Sequence, residues 1–449
     1  MSEVTTYDAW LDTDTVAAVI LREPLVPVEG PDGVLFPATF AAAEDKSKFE
    51  GGYNIDEFPE GKNTCLVDSV GSHQDGRARL DHLPLKNVCL VDSVGSQANR
   101  IEPRFAQPGY ADLVPQVEIV VSEERRVNLL EAGHRAADAI VRCSALQERL
   151  QAAFREVLRG NAEPLARIAP TSLVFGVWDS RDTQAKLPRL MASTIRAYNV
   201  RKLTRSAQYM PATNYIDGKL LDEPADRKTS DAYAQRGFNH VPATGTHGGV
   251  IADGGVRREA TLSLAALRLL AVREGGVVHA EHTRTLRRYI LGLALVALTA
   301  PQSSFLRQGC NLVPDLDQPR EFKVVHGNGR REECSLTHAE ALAYARVTAK
   351  AFGVGPSLTE PFDRKRAEKD IKGDETVEKI KGTVVSPDAG SQTFTLKQGG
   401  KKPDLPVTTT AATVYLKGKE PSTFEAVVVE KAKVDVHLSN GVAVKVIGS

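Results

Sequence analysis

The sequence predicts an α+β protein followed by a small all-β module, and three observations predict it. First, the cation changes identity along the chain: of 34 arginines the last is Arg366, whereas 12 of the 23 lysines come after it. Second, from about Asp374 to Ser449 the stretches KIKGTVV, QTFTLKQ, ATVYLKG, EAVVVEK and KVDVHLS alternate β-branched with polar residues and are separated by Gly, Pro and Asn. That pattern describes short antiparallel strands, here a β-barrel or sandwich of unknown role joined through the charged linker DRKRAEKDIKGDE. Third, the first 366 residues mix segments of helical periodicity with short apolar runs.

In chain order, Cys89, Leu90 and Val91 predict a buried strand that turns polar at Asp92 and Ser93. The octet CLVDSVGS occurs twice, at Cys65 to Ser72 and at Cys89 to Ser96, and only the second copy continues as QANRIEPRF. Two copies are too few for a solenoid, so a local duplication or two similar strands is expected. Leu129 to Gly160 has helical spacing and ends on glycine. Ser172 to Val177 reads as a short strand ending at Trp178, Asp179 and Ser180, and Leu187 to Val200 as a helix. Tyr209 to Gly255, rich in Gly, Pro, Asn and Thr, reads as a long loop or irregular hairpin. Glu259 to Arg273, Arg284 to Thr299 and Thr337 to Phe352 are predicted helices.

Composition narrows the function. Lysine plus arginine equals aspartate plus glutamate at 57 each, so any nucleic-acid surface must come from local clustering. The five cysteines, Cys65, Cys89, Cys143, Cys310 and Cys334, contain no CxxC pair, which disfavours a disulfide framework or structural zinc and points to a reducing cytoplasm. The N-terminus MSEVTTYDAWLDTD has no signal-peptide core, and the longest apolar run, Tyr289 to Ala300, is 12 residues, too short to span a bilayer.

Two segments carry binding chemistry. In the first, Gln97, Asn99, Arg100 and Arg104 follow a strand end, and amide and guanidinium donors suit a phosphate or a base edge. In the second, Arg181, Lys186, Arg189, Arg196, Arg201, Lys202 and Arg205 are opposed only by Asp182, with Tyr198 among them and Tyr209 and Asn214 following. Cations beside stacking rings make a single-strand groove, whereas a solvated helix face usually mixes signs. The glycine-rich TGTHGGVIADGG, Thr244 to Gly255, lacks P-loop and dinucleotide spacing and reads as a mobile loop. Metal-site candidates are weak: His279 and His282 lack the zincin spacing, and His134 with Asp138 reads as a helix-surface hydrogen bond. Asp92-Ser93 and Asp179-Ser180 read either as an acid/base or metal pair or as helix caps. No metal or other cofactor is expected.

The stretches LVDSVGSQANRIEPRF, AGHRAADAIVRCS, LARIAPTSLVFGVWDSRDTQAKLPRLMASTIRAYNVRKLTRSAQY and RGFNHVPATGTHGGVIADGGVRREATLSLAALRLL occur in that order. Together they resemble the backbone subunit of the type I-G (formerly I-U) CRISPR Cascade, a Cas-seven-like protein of the RAMP superfamily, over most of residues 15 to 360. The resemblance implies an RRM-like (ferredoxin-like) core with large insertions, one of them a thumb-like hairpin, across residues 1 to 366. It implies a cytoplasmic, non-catalytic protein of antiviral defence that binds guide RNA and polymerises with copies of itself as a helical oligomer. Target DNA is then met through the guide, and the other Cascade subunits, a large subunit and a fused cap/guide-processing subunit, are further partners; no membrane is involved. Sequence is read by base pairing in such complexes. The alternative is a metal-dependent RAMP nuclease using Asp92 and Asp179, with His247 as a further candidate. The extra CLVDSVGS copy and the β-rich tail depart from the family pattern.

Overall fold

The computed structural model describes residues 3–45, 51–58, 86–372, 378–400, 402–410, 413–418, 420–439 and 442–448. The first CLVDSVGS copy, Cys65 to Ser72, and Asp374, where the β-rich module was expected to begin, lie outside them. The chain divides into two compact units, Met1–Phe362 and Asp363–Ser449.

The first unit is organised by a mixed-length antiparallel sheet of nine strands among the described residues. Its principal members are β1 (Val16–Pro27), β2 (Asn87–Asp92), β3 (Met191–Tyr198), β6 (Val256–Ser263) and β7 (Glu321–His326). Between β3 and β6 run β4 (Val200–Tyr209) and β5 (Val241–Ala252), which pair with each other as a separate two-stranded ribbon. The spatial order is β7-β1-β6-β3-β2, with every neighbouring pair antiparallel. Helix α1 (Val94–Ile101) lies between β1 and β3 in sequence, and α2 (Ala280–Thr299) lies between β6 and β7.

The helical side of the sheet holds the larger core. Val19, Leu21, Met191, Ala260 and Leu262 point into it, against α2 and α3 (His338–Phe352). Every residue of α2 from Tyr289 to Leu298 is buried. The two helices approach closely at Gly292, where a Cβ would come within 2.7 Å of Thr348 Oγ1 and 2.9 Å of Ala345 Cα. Tyr289 stacks on Phe352 at 4.6 Å and donates its hydroxyl proton to the Leu113 carbonyl. Helix α3 starts on a capping box: Thr337 accepts from the Glu340 amide, and the Glu340 carboxylate accepts from the Thr337 amide. Among the described residues no helix is long and apolar enough to cross a membrane.

Several expected elements take another form. Leu187 to Val200 forms β3 in place of a helix, because its burial alternates: Met191, Ser193, Ile195 and Ala197 face inward. Glu259 to Arg273 splits into the end of β6 and a four-residue helix, Leu264–Leu267, capped by Ser263. Ser172 to Phe175 is instead the end of the helix Pro170–Phe175, whose six residues are all buried, and only Val177 goes on into a strand, Val177–Trp178; a wholly buried run carries no period to separate helix from strand. The long helix expected over Leu129 to Gly160 is broken into short turns and Gln147–Leu158. Arg135 stands there at φ 53°, and Asp138 caps Ala139–Arg142 while accepting from the His134 amide. The glycine-rich Thr244 to Gly255 belongs to β5 over most of its length; Gly248 lets the ribbon close, since a Cβ there would lie 2.6 Å from the Thr204 carbonyl carbon.

In the second unit the expected linker is helical at α4 (Arg364–Lys372). The strands are β8 (Glu378–Asp388), β9 (Thr393–Lys397), β10 (Leu405–Thr408), β11 (Val414–Lys417), β12 (Lys433–Ser439) and β13 (Val442–Gly448), with a short helix α5 (Phe424–Val427) before β12. Antiparallel pairing runs β10-β9-β8-β12-β13, and a parallel bridge from Thr408 to Val442 closes the ring. Val384, Phe394, Leu396, Val407, Val436 and Val446 fill its centre.

Candidate nucleic-acid interface

The face of the sheet opposite the helices is polar and open. Strand alternation puts Ile20 and Arg22 of β1, Thr194, Arg196 and Tyr198 of β3, and Arg257 and Glu259 of β6 on this side. Register then brings them together: Glu259 lies opposite Arg22 on one side and Thr194 on the other, and Arg257 opposite Arg196. Glu259 becomes the centre of a fan of three guanidiniums, with Arg196 at 3.2 Å, Arg257 at 3.3 Å and Arg22 at 3.8 Å.

Tyr198 donates its hydroxyl proton to Glu259 at 3.1 Å, and Arg257 lies over its ring at 4.5 Å. Burial holds the Tyr198 phenol above its ordinary pKa, which keeps that proton in place. The three arginine side chains remain 37–44% exposed, and Glu321 of β7, opposite Arg22 in register and within electrostatic reach of Arg257, is the second carboxylate on this face, so the three guanidiniums outnumber the acids beside water. A cleft of about 410 Å³ opens here, lined among others by Ile20, Arg22, Thr194, Arg196, Glu259 and Arg331.

Beneath the sheet lies a different arrangement of the same groups. Asp92, at the end of β2, is fully buried. Its carboxylate accepts from Gln97 Nε2 at 2.7 Å, Arg100 Nε at 3.2 Å and Arg307 at 2.6 Å. Gln97, also fully buried, accepts from Ser193 Oγ, and Ser193 accepts from Arg258, which reaches Glu23 and the Leu298 carbonyl. Ser93 caps α1 through the Ser96 amide and so aims Gln97 and Arg100 back at Asp92. This chain of polar contacts lies between two hydrophobic clusters, and each member satisfies its neighbour.

The sequence-derived residues therefore separate. Gln97 is interior, where it links α1 to β3, and its side chain is not available to RNA. Arg100 is half-exposed and tied to Asp92; Asn99 is exposed; Arg104 donates to the Pro301 carbonyl at 2.6 Å and lies 5.7 Å from the Tyr110 ring. Arg181, Lys186 and Arg189 are exposed on and beside a small hairpin, Val177–Trp178 with Lys186–Leu187. Arg201, Lys202 and Arg205 are exposed on β4, with Arg201 gripping Asp253 at 2.7 and 2.9 Å and Arg205 lying 5.7 Å from the Phe36 ring. Of the whole set, only Arg196 belongs to the Glu259 fan.

The carboxylates of the nuclease alternative are committed elsewhere. Asp179 is 4% exposed and accepts from the Asp182 amide, the Thr183 amide and the Thr183 hydroxyl. His247 packs 4.8 Å from the Tyr53 ring. Among the described residues no three His, Cys, Asp or Glu side chains are grouped to hold a metal ion. His279 caps α2 and stacks on His282 at 3.9 Å.

Arg22, Arg257 and Glu259 escaped the sequence reading. Their signal was the period-two pattern in VILREPL and GGVRREATLS, hidden because the second was split between a loop ending at Gly255 and a helix expected from Glu259.

A protein-family model described as CRISPR-associated protein GSU0053 matches the chain over residues 19–77 and 73–202. The two matches meet at 73–77, between the two CLVDSVGS copies. They span β1, β2, α1 and β3, and thus link two of the three strands that build the arginine fan to CRISPR-associated proteins. No curated protein matches the chain.

Proposed function

We propose that this protein is a guide-RNA-binding backbone subunit of a type I-G CRISPR surveillance complex, a RAMP-superfamily member built on an RRM-like core. The observation that carries the reading is the three-arginine fan around Glu259 on an open antiparallel sheet. The strand order supports the same reading: β1, β3, β6 and β7 follow the split β-α-β-β-α-β path, with α1 and α2 in the two crossovers. RRM-like sheets present such a face to single-stranded RNA.

The physical roles follow from the geometry. Arg22, Arg196 and Arg257 can each take a phosphate oxygen pair through a guanidinium fork. Glu259 orients the three forks and offsets only part of their charge, and Tyr198 places a hydroxyl beside them for ribose. The β4–β5 ribbon, carrying Lys202 and Arg205 in the open, corresponds to the thumb-like hairpin. The guide is held for pairing with target DNA, and further copies of the chain, the large subunit and the cap subunit complete the assembly. No cleavage step belongs to this reading, because the Asp92 oxygens are already occupied by three internal donors.

The test is co-purification with a guide. Wild-type protein is expected to carry RNA, read as an elevated ratio of absorbance at 260 to 280 nm. Replacing Arg22, Arg196 and Arg257 together by Glu should strip it. Undiminished RNA in a triple variant with wild-type circular dichroism would overturn the assignment of the sheet face.

A further inference from the structure

We propose that Trp178 is a stacking site for an unpaired nucleobase, with Arg181, Lys186 and Arg189 holding the adjoining phosphates. The proposal rests on the RNA-binding reading above and adds to it a subsite outside the arginine fan.

Trp178 lies on the Val177–Trp178 arm of the small hairpin, directly opposite Lys186. Val177 points inward and is 6% exposed, so alternation turns the Trp178 ring outward, where it is 55% exposed. Half an indole in water is an unfavourable arrangement unless something covers it, and aromatic rings of this kind anchor interfaces.

The hairpin is held rigid from within. The buried Asp179 gathers the Asp182 and Thr183 amides and the Thr183 hydroxyl, and the Asp179 amide donates to the Ala185 carbonyl at 2.9 Å. Ala185 is fully buried, and the Thr183 hydroxyl accepts from its amide. Asp179 is thus a positioning residue that fixes the angle of the ring. A preordered ring loses little entropy on binding.

Charge selects the occupant. The Lys186 ammonium lies 5.3 Å from the ring centroid, and Arg181 and Arg189 are exposed on either side in sequence. A second organic cation would be repelled, and a purely apolar peptide would leave three cations unmatched. A base on a π face with phosphates beside it satisfies both features, and such stacking tolerates any base.

The full chain provides its own reporter, because it has two tryptophans and the other, Trp10, packs against Tyr7 at 4.6 Å. In a Trp10→Phe variant, emission comes from Trp178 alone. Titration with an unstructured single-stranded RNA oligonucleotide, followed in parallel by anisotropy of a terminal dye, should quench that emission at least about twofold as binding saturates. Trp178→Ala should weaken binding roughly tenfold, within the range for loss of one stacked base, and Trp178→Phe should recover most of it.

Saturating RNA binding with unquenched Trp178 emission would overturn this inference and leave the sheet-face reading standing. Absence of RNA binding altogether would remove both. Quenching that rises with protein concentration in the absence of RNA would give Trp178 to a contact between copies and also overturn the proposal.

Discussion

Asp92 and Glu259 are both carboxylates ringed by arginines, and they sit on opposite sides of one sheet. Asp92 is sealed from water and takes Arg100, Arg307 and Gln97. Glu259 is 26% exposed and takes Arg22, Arg196 and Arg257, each still partly in water. The same chemistry therefore does two jobs. In the interior, charge must be matched because an unpaired ion there is costly; at the surface, surplus charge persists because water solvates it until a polyanion arrives. Residue type does not separate the two roles, and burial does.

The comparison can be broken most directly at Asp92. Asp92→Ala leaves Arg307 and Gln97 without their buried acceptor and should cost ~3–5 kcal/mol of stability, read as a large fall in melting temperature. A variant that melts like the wild type and loses only RNA would reverse the two roles.

Next in size is the buried pair Glu102–Arg135, 2.6 Å apart, with the two side chains 1% and 6% exposed. Burial pushes the Glu102 carboxyl up to about 7, against the opposing pull of Arg135 and Thr171. A raised acid pKa means that the folded state holds the proton more tightly than the unfolded chain. This contribution, up to ~3 kcal/mol, is complete below the unfolded value near 4.5 and lost as pH rises through 7. Melting temperature should fall over that window, and Glu102→Gln should flatten the fall; an unchanged profile in the variant would rule Glu102 out as its source.

At the surface, the predicted losses are in binding and not in folding. Arg22, Arg196 and Arg257 changed together to Ala should reduce the slope of log affinity against log salt by about 2, from roughly −3.5 for five phosphate contacts per subunit. Melting should barely move. The smallest and sharpest change is Glu259→Gln, which keeps the shape of the site and removes the negative charge that all three arginines share. RNA should then bind more tightly by about 1 kcal/mol or less, roughly fivefold at most. Weaker binding would show that Glu259 matters more as an organiser of the fan than as an opposing charge.

The legibility of the site differed residue by residue. Arg196 was found as one cation in a run that shared a single acid. Arg22 is the one cation in VILREPL and is followed by Glu23, and Arg257 falls between the expected loop that ends at Gly255 and the expected helix that starts at Glu259, so neither stood out. Gln97 shows the opposite error: an amide after a strand end resembles a binding group, yet the first turn of α1 folds it back onto Asp92. The misread β3 and β6 share one cause, since an eight-residue strand with one polar residue on the inner face, Ser193 in β3 and Arg258 in β6, blurs the contrast on which period two depends.

Local chemistry in the sequence by itself determined the α+β character, the start of α3 at Thr337, the apolar body of α2 and the strand-rich tail beyond Arg366. These follow from contacts within a few residues, such as caps, turns and periodicity. The tertiary structure alone decided which charges meet. Pairing β1, β3 and β6 in register joins Arg22, Arg196 and Arg257, residues far apart in the chain, on one carboxylate, while the opposite pleat buries Ser193 and Arg258. Strand register and burial are properties of the assembled sheet, so no stretch of sequence read alone carries them.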